Sequence, residues 1–205
     1  VSLHEVTKVL TTTHDTKQLN EKILEYSINM IRADAGAVMY LDGSGELQIH
    51  ETCNNGVDRE FWENQKIFSL VPHEVLSVGE HRIVLKDAEK NSRNAPPLPE
   101  PIQSYIAFPL KNSKRIIGVL NLVRTRNSDP FSKVDLEIIN VLSSQAGVTI
   151  ENARLYQSIR NNYIQTIRAF ALAVEAKDRY THGHSENVMK YAVVLARRLN
   201  VPDSE

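Results

Sequence analysis

Apolar positions change their spacing several times along the chain, and each change marks an element. Leu19, Ile23, Tyr26 and Met30 recur at helical intervals, with Ile28 and Ile31 beside them. This predicts a helix near residues 18–32, preceded by a helical N-terminal segment that starts at Leu3. The period then shortens. An apolar run from Ala35 to Leu41 meets an Asp-Gly-Ser-Gly turn, and alternation resumes through Leu47 and Ile49. A β-hairpin follows from that pattern.

Between Asn54 and Glu100 the signals weaken. The run "REFWENQKIF" predicts one helix, "HRIVLKD" one short strand, and the proline-rich "NAPPLPEP" an irregular loop. A second hairpin is clear in "SYIAFPLKNSKRIIGVLNLVRT", two β-rich runs around a polar Lys-Asn-Ser-Lys turn.

After "NSDPFSKVDLE" no turn cluster appears until "THGH", and apolar residues repeat every three or four positions. Asp129 or Ser132 can cap this helix, while Asp135 and Glu137 suit the positive end of its dipole. Val134, Ile138, Val141, Gln145, Val148, Asn152, Leu155 and Ile159 follow alternating steps of four and three, the seam of a coiled coil. Gln145 and Asn152 are polar residues of the kind that fix register and two-strand pairing. A parallel homodimer through the N-terminal and long helices is therefore expected. Helix, hairpin, irregular middle, hairpin and long helix in that order predict an α+β fold: an antiparallel sheet with helices on its faces, then a coiled-coil helix and an α-helical fragment.

Composition narrows the partners. With 24 Lys+Arg against 25 Asp+Glu the net charge is -1, so no strong field gathers nucleic acid or an anionic membrane. A single cysteine, Cys53, makes no internal disulfide and implies a reducing, cytoplasmic setting. No apolar run approaches the roughly 20 residues of a membrane span. The chain opens on Val1 and stops at "VPDSE" in mid-pattern, which reads as a piece of a longer protein.

Several motifs carry a family likeness. Pro109-Leu110, a polar turn, Ile117 to Leu120, Phe131 to Asp135, Gln145-Ala146 and Glu151 to Tyr156 together resemble the C-terminal half of a GAF domain. The resemblance spans residues 1–157. Gly118, inside a β-branched run, fits a close approach by a neighbouring group, and Phe131 with Ser-x-x-Asp resembles a staple and cap. Cyclic-nucleotide-binding relatives need Asn-Lys and then Phe-x-x-x-Asp-Glu, whereas Arg124-Thr125 and Leu136 stand here, so that ligand is not expected. Cys53 lacks the adjacent histidine of a bilin site, and one cysteine is too few for methionine sulfoxide reduction.

A second likeness begins near Thr166. Glu175 to Asp178, Tyr180-Thr181, Gly183 to Ser185, Val188, Tyr191-Ala192 and Leu195-Ala196 resemble the opening of an HD-GYP domain, the metal-dependent phosphohydrolases that act on cyclic di-GMP. It covers residues 166–205, and residues 133–175 form a signalling helix that overlaps both parts. What the resemblance implies for His184 is the role of a metal ligand in the longer parent, with Tyr180 in place of a bridging Glu favouring a two-metal site of iron or manganese type. His182 falls at a variable position of the pattern. One imidazole cannot hold a catalytic metal, so no cofactor is expected in this chain.

If a small ligand binds, the irregular segment over the sheet is where it lies, and Cys53, Phe61, Trp62, Phe68 and Tyr105 are its candidate lining. His50, His73 and His81 read as scattered surface histidines. The expected function is thus a sensory and dimerisation module that regulates a C-terminal cyclic di-GMP phosphodiesterase. The alternatives are a metal-dependent phosphohydrolase or a GAF scaffold without a ligand.

Overall fold

A computed structural model describes residues 13, 15–53, 59–86, 97–112, 115–125, 129–177 and 184–201; for residues 174–177 and 184–186 it describes the backbone. The chain divides into two compact units, Val1–Arg154 and Leu155–Glu205. The expected helical segment from Leu3 lies outside the described residues.

The first unit is a five-stranded antiparallel sheet. Helix α1 (Thr16–Ile31) starts where the Asp15 carboxylate accepts from the backbone N–H groups of Lys17, at 2.7 Å, and Gln18, at 3.0 Å. These bonds satisfy two donors that a helix start leaves open. Strands β1 (Ala35–Leu41) and β2 (Leu47–Cys53) form the first hairpin. Its register shifts between Val38 and Met39, whose partners are Glu51 and Ile49, so His50 is the extra residue of a bulge.

Two helices, not one, follow: α2 (Arg59–Asn64) and α3 (Ile67–Val78). The break falls between them at Gln65 and Lys66. Pro72 inside α3 lacks an N–H and disguised this helix in the sequence, although Gly79, at φ 80° and bonded back to Val75, is a plain C-terminal signal. The remaining strands are β3 (Arg82–Leu85), β4 (Ile102–Lys111) and β5 (Ile116–Thr125), and the order across the sheet is β2-β1-β5-β4-β3. Helix α4 runs from Lys133 to Lys177, 45 residues.

Alternation along the strands makes two cores. Val38, Tyr40, Ile106, Phe108, Leu120 and Leu122 face α1 and the first part of α4, where Ile139, Leu142, Ala146, Ile150 and Ala153 cover them. Ala37, Met39, Tyr105, Ala107, Val119 and Val123 face the other way, under α2 and α3. Burying each large aliphatic side chain contributes about 1.5–3 kcal/mol.

Arg124 locks α4 to this frame. Its guanidinium donates to the carbonyl oxygens of Ile31, Asp129 (2.9 Å) and Pro130 (3.1 Å), pairs with Asp135 at 3.2 Å and lies 4.4 Å over the Phe131 ring. Asp135 also accepts from the Ser132 N–H at 2.7 Å, and the Ser132 hydroxyl oxygen accepts from the Asp135 N–H at 3.2 Å. This reciprocal capping box fixes the first turn of α4.

The second unit is helical: the remainder of α4 and helix α5 (His184–Arg198). Among the described residues no helix is long and apolar enough to cross a membrane.

Gly147 lets the α4 backbone touch the sheet. A Cβ there would stand 2.1 Å from the Lys111 carbonyl oxygen, whereas one at Gly43 would meet nothing within 4 Å. Gly147→Ala is expected to lower the unfolding free energy by about 1–3 kcal/mol, and Gly43→Ala to change it little, in urea denaturation of the two variants. Equal midpoints would remove the close approach from the account.

Candidate functional site

The layer under α2 and α3 gathers aromatic rings. Trp62 from α2 and Phe68 from α3 lie 4.4 Å apart, Phe68 meets the β4 ring of Tyr105 edge-on at 5.1 Å, and Phe61 stands 5.7 Å from Phe68. Trp62, Phe68 and Tyr105 are fully buried. Inside this apolar layer the Tyr105 hydroxyl donates to Asn121 Oδ1 at 2.7 Å, and Asn121 Nδ2 faces the Ala37 and Val119 carbonyls at 3.4 Å. Burial raises the Tyr105 pKa well above its ordinary value, so it remains a neutral donor. The Trp62 indole N–H is buried without a hydrogen-bond partner among the described residues.

Four of the five candidate lining residues thus come together, three of them as a packed cluster with Phe61 at its edge. Cys53 does not join them. At the end of β2 it is half-buried and packs against the opposite core, the one covered by α1 and α4. Alternation along a strand carries a residue to one face or the other, and the bulge at His50 resets that count.

A second arrangement lies at one rim of the sheet. Tyr40 is fully buried, and its hydroxyl donates to Asn20 of α1. Gly118 opposite it admits the ring: a Cβ there would be 2.6 Å from Tyr40 Cδ1 and 2.2 Å from the Met39 carbonyl oxygen. The Arg154 guanidinium of α4 sits 4.2 Å over the Tyr40 ring, and His50 is 4.9 Å from the same ring. Partial burial pushes the His50 pKa down, and the Arg154 and Arg59 charges lower it further.

The sequence model described as GAF domain matches residues 13–151, more than half of the chain. The chain belongs to the GAF domain family.

Solved structures repeat the fold. The GAF domain of an Acinetobacter phosphoenolpyruvate-protein phosphotransferase is 17% identical with a TM-score of 0.57, covering 75% of this chain and 92% of that one. A GAF domain/HD domain protein from Geobacter sulfurreducens is 18% identical with a TM-score of 0.53, covering 73% and 98%. The GAF-B domain of DevS from Mycobacterium smegmatis is 18% identical with a TM-score of 0.56, covering 71% and 99%. At such identities the likeness is one of fold. GAF domains are sensor modules typical of signalling proteins.

Within this GAF domain the seam residues take a definite place. Val134, Val141, Gln145, Val148 and Asn152 are exposed and Ile138 is half-buried, while the neighbouring stripe from Ile139 to Ala153 is buried on the sheet. Leu155 and Ile159, further along α4, are exposed as well. His184 begins α5, and its side chain is not described; Tyr180 and His182 lie outside the described residues. Among the described residues no three His, Cys, Asp or Glu side chains converge as a metal site would require.

Sequence reasoning passed over three residues of these sites. Asn121 had a signal, a lone amide inside the apolar run "GVLNLV". Arg124 was read as a departure from Asn-Lys; its role is the clamp on α4. Arg154 had no signal, since only the fold brings it over Tyr40.

Replacing Arg154 by Ala removes a cation beside His50, so the His50 pKa should rise toward 6.5, read by NMR titration of its imidazole protons. An unchanged value would mean that the guanidinium does not reach the imidazole. In the wild-type protein the unfolded chain takes up this proton first, so stability falls as the pH drops below 6.5.

Proposed function

We propose that this chain is the sensory and dimerisation part of a signalling protein whose output is an HD-GYP-type phosphohydrolase of cyclic di-GMP. One observation carries the dimer: α4 has two apolar stripes. The stripe from Ile139 to Ala153 covers the sheet, and Val134, at 63% exposure, Val141, at 41%, and Val148, at 47%, remain open at coiled-coil spacing. A helix that served only to cover the sheet would present polar residues on its other faces. A second copy of the same helix, set parallel and in register, is the occupant that this spacing fits.

The output assignment rests on the motif from Glu175 to Ala196, with His184 as one metal ligand of the parent. The Geobacter protein, described as a GAF domain/HD domain protein, supports such a pairing in one polypeptide. The metal chemistry needs further ligands and is assigned to the parent, not to this chain. Signal reception belongs to the layer around Trp62, Phe68 and Tyr105, where a buried indole N–H offers a donor to an accepting ligand. Occupancy there would bias the pairing of α4 and so the geometry of the output.

Cysteine cross-linking tests the pairing. In a Cys53→Ser background, Val148→Cys should form a disulfide-linked dimer under mild oxidation, and Asn140→Cys, exposed on another face of α4, should not. Equal cross-linking at both positions, or none at Val148→Cys, contradicts a parallel seam.

A further inference from the structure

Two arginines line a depression that holds a single described carboxylate. The turn between β1 and β2, the start of β5 and α4 border an open pocket lined by Leu41, Asp42, Ser44, Arg115, Ile117 and Arg154. Arg154 is held in place by its stacking on Tyr40, and Tyr40 is itself buried and tied to Asn20. Arg115 is exposed and immediately precedes β5. Among the described residues neither guanidinium forms an ion pair.

The acid in the pocket is already engaged. Asp42 Oδ1 accepts from the Ser44 N–H at 2.8 Å, the Ser44 hydroxyl at 2.6 Å and the Glu46 N–H at 3.0 Å. These bonds serve the turn itself and hold the Asp42 carboxyl below the usual carboxylate range. Two arginines against this one carboxylate leave the pocket with a formal charge of +1. Held near one another by the fold, they repel until an anion lies between them.

We propose that this pocket binds a phosphate group, with Arg115 and Arg154 donating to it from two sides and Leu41, Ile116 and Ile117 receiving an apolar portion of the molecule that carries it. Two planar forks approaching from different elements suit an anion with three terminal oxygens; one fork already occupies both oxygens of a carboxylate. The consequence for the fold is a bridge between Arg115, at the start of β5, and α4, close to the last residues that α4 packs on the sheet. This site is separate from the aromatic layer under α2 and α3, and it does not depend on the dimer.

Titration of the whole chain with three probes at constant ionic strength tests it, followed by NMR: inorganic phosphate, adenosine 5′-monophosphate and adenosine. Saturable shifts at Arg115, Arg154 and His50 are expected with both phosphates and not with adenosine. Tighter binding of the ester identifies an organic phosphate as the ligand class, and equal binding identifies free phosphate. Arg115→Ala, an exposed site whose loss should leave the fold intact, is expected to weaken binding at least tenfold. Arg154→Lys keeps the charge and loses the fork, and should also weaken it. Phosphate should raise the His50 pKa by partly neutralising Arg154. Absence of saturable shifts, equal shifts with adenosine, or wild-type binding in Arg115→Ala overturns the proposal.

Discussion

The contact between α4 and the sheet sets everything else in this molecule. At Gly147 the helix backbone comes against Lys111 with no side chain between them, and at its start the Arg124 guanidinium ties Asp135 to the end of α1. Two such fixed points leave the helix no freedom to roll. Its rotation decides that Ile139, Leu142, Ala146 and Ile150 are inside and that Val141 and Val148 are outside. It also decides that Arg154 lands on Tyr40 rather than in solvent.

The two faces of the sheet have different work. One is closed by α1 and α4 and carries the mechanical connection, including a buried Arg124 whose hydrogen bonds go mostly to carbonyl oxygens at element ends. Breaking such a buried cation from its partners costs several kcal/mol. The other face is closed by the short helices α2 and α3, whose rings pack on Tyr105 around one polar pair. Short helices with few turns open more easily than a long one.

Much of this was legible in the chain, for physical reasons that differ by element. Both hairpins, α1 and α4 have a dominant period and clear turn or cap residues, and the Ser132–Asp135 cap and the tight approach at Gly118 follow from residue type alone. The pair α2 and α3 was less legible, because Pro72 interrupts a short apolar run and no cap residue precedes Ile67; the Lys66 side chain makes no capping bond. The placing of Cys53 away from the aromatic layer was hidden by the bulge at His50, which changes the face count within one strand. Arg154 and Arg115 were silent in the sequence, since 39 positions separate them and only the sheet and helix together bring them to one pocket.

Under the proposed function, this GAF domain passes a change in its own packing to α4, which has one apolar stripe on the sheet and another exposed. A native mass spectrum of the purified protein tests that claim most directly. The account predicts a species of twice the 23.2 kDa chain mass at micromolar concentration. A spectrum of single chains at that concentration would contradict it.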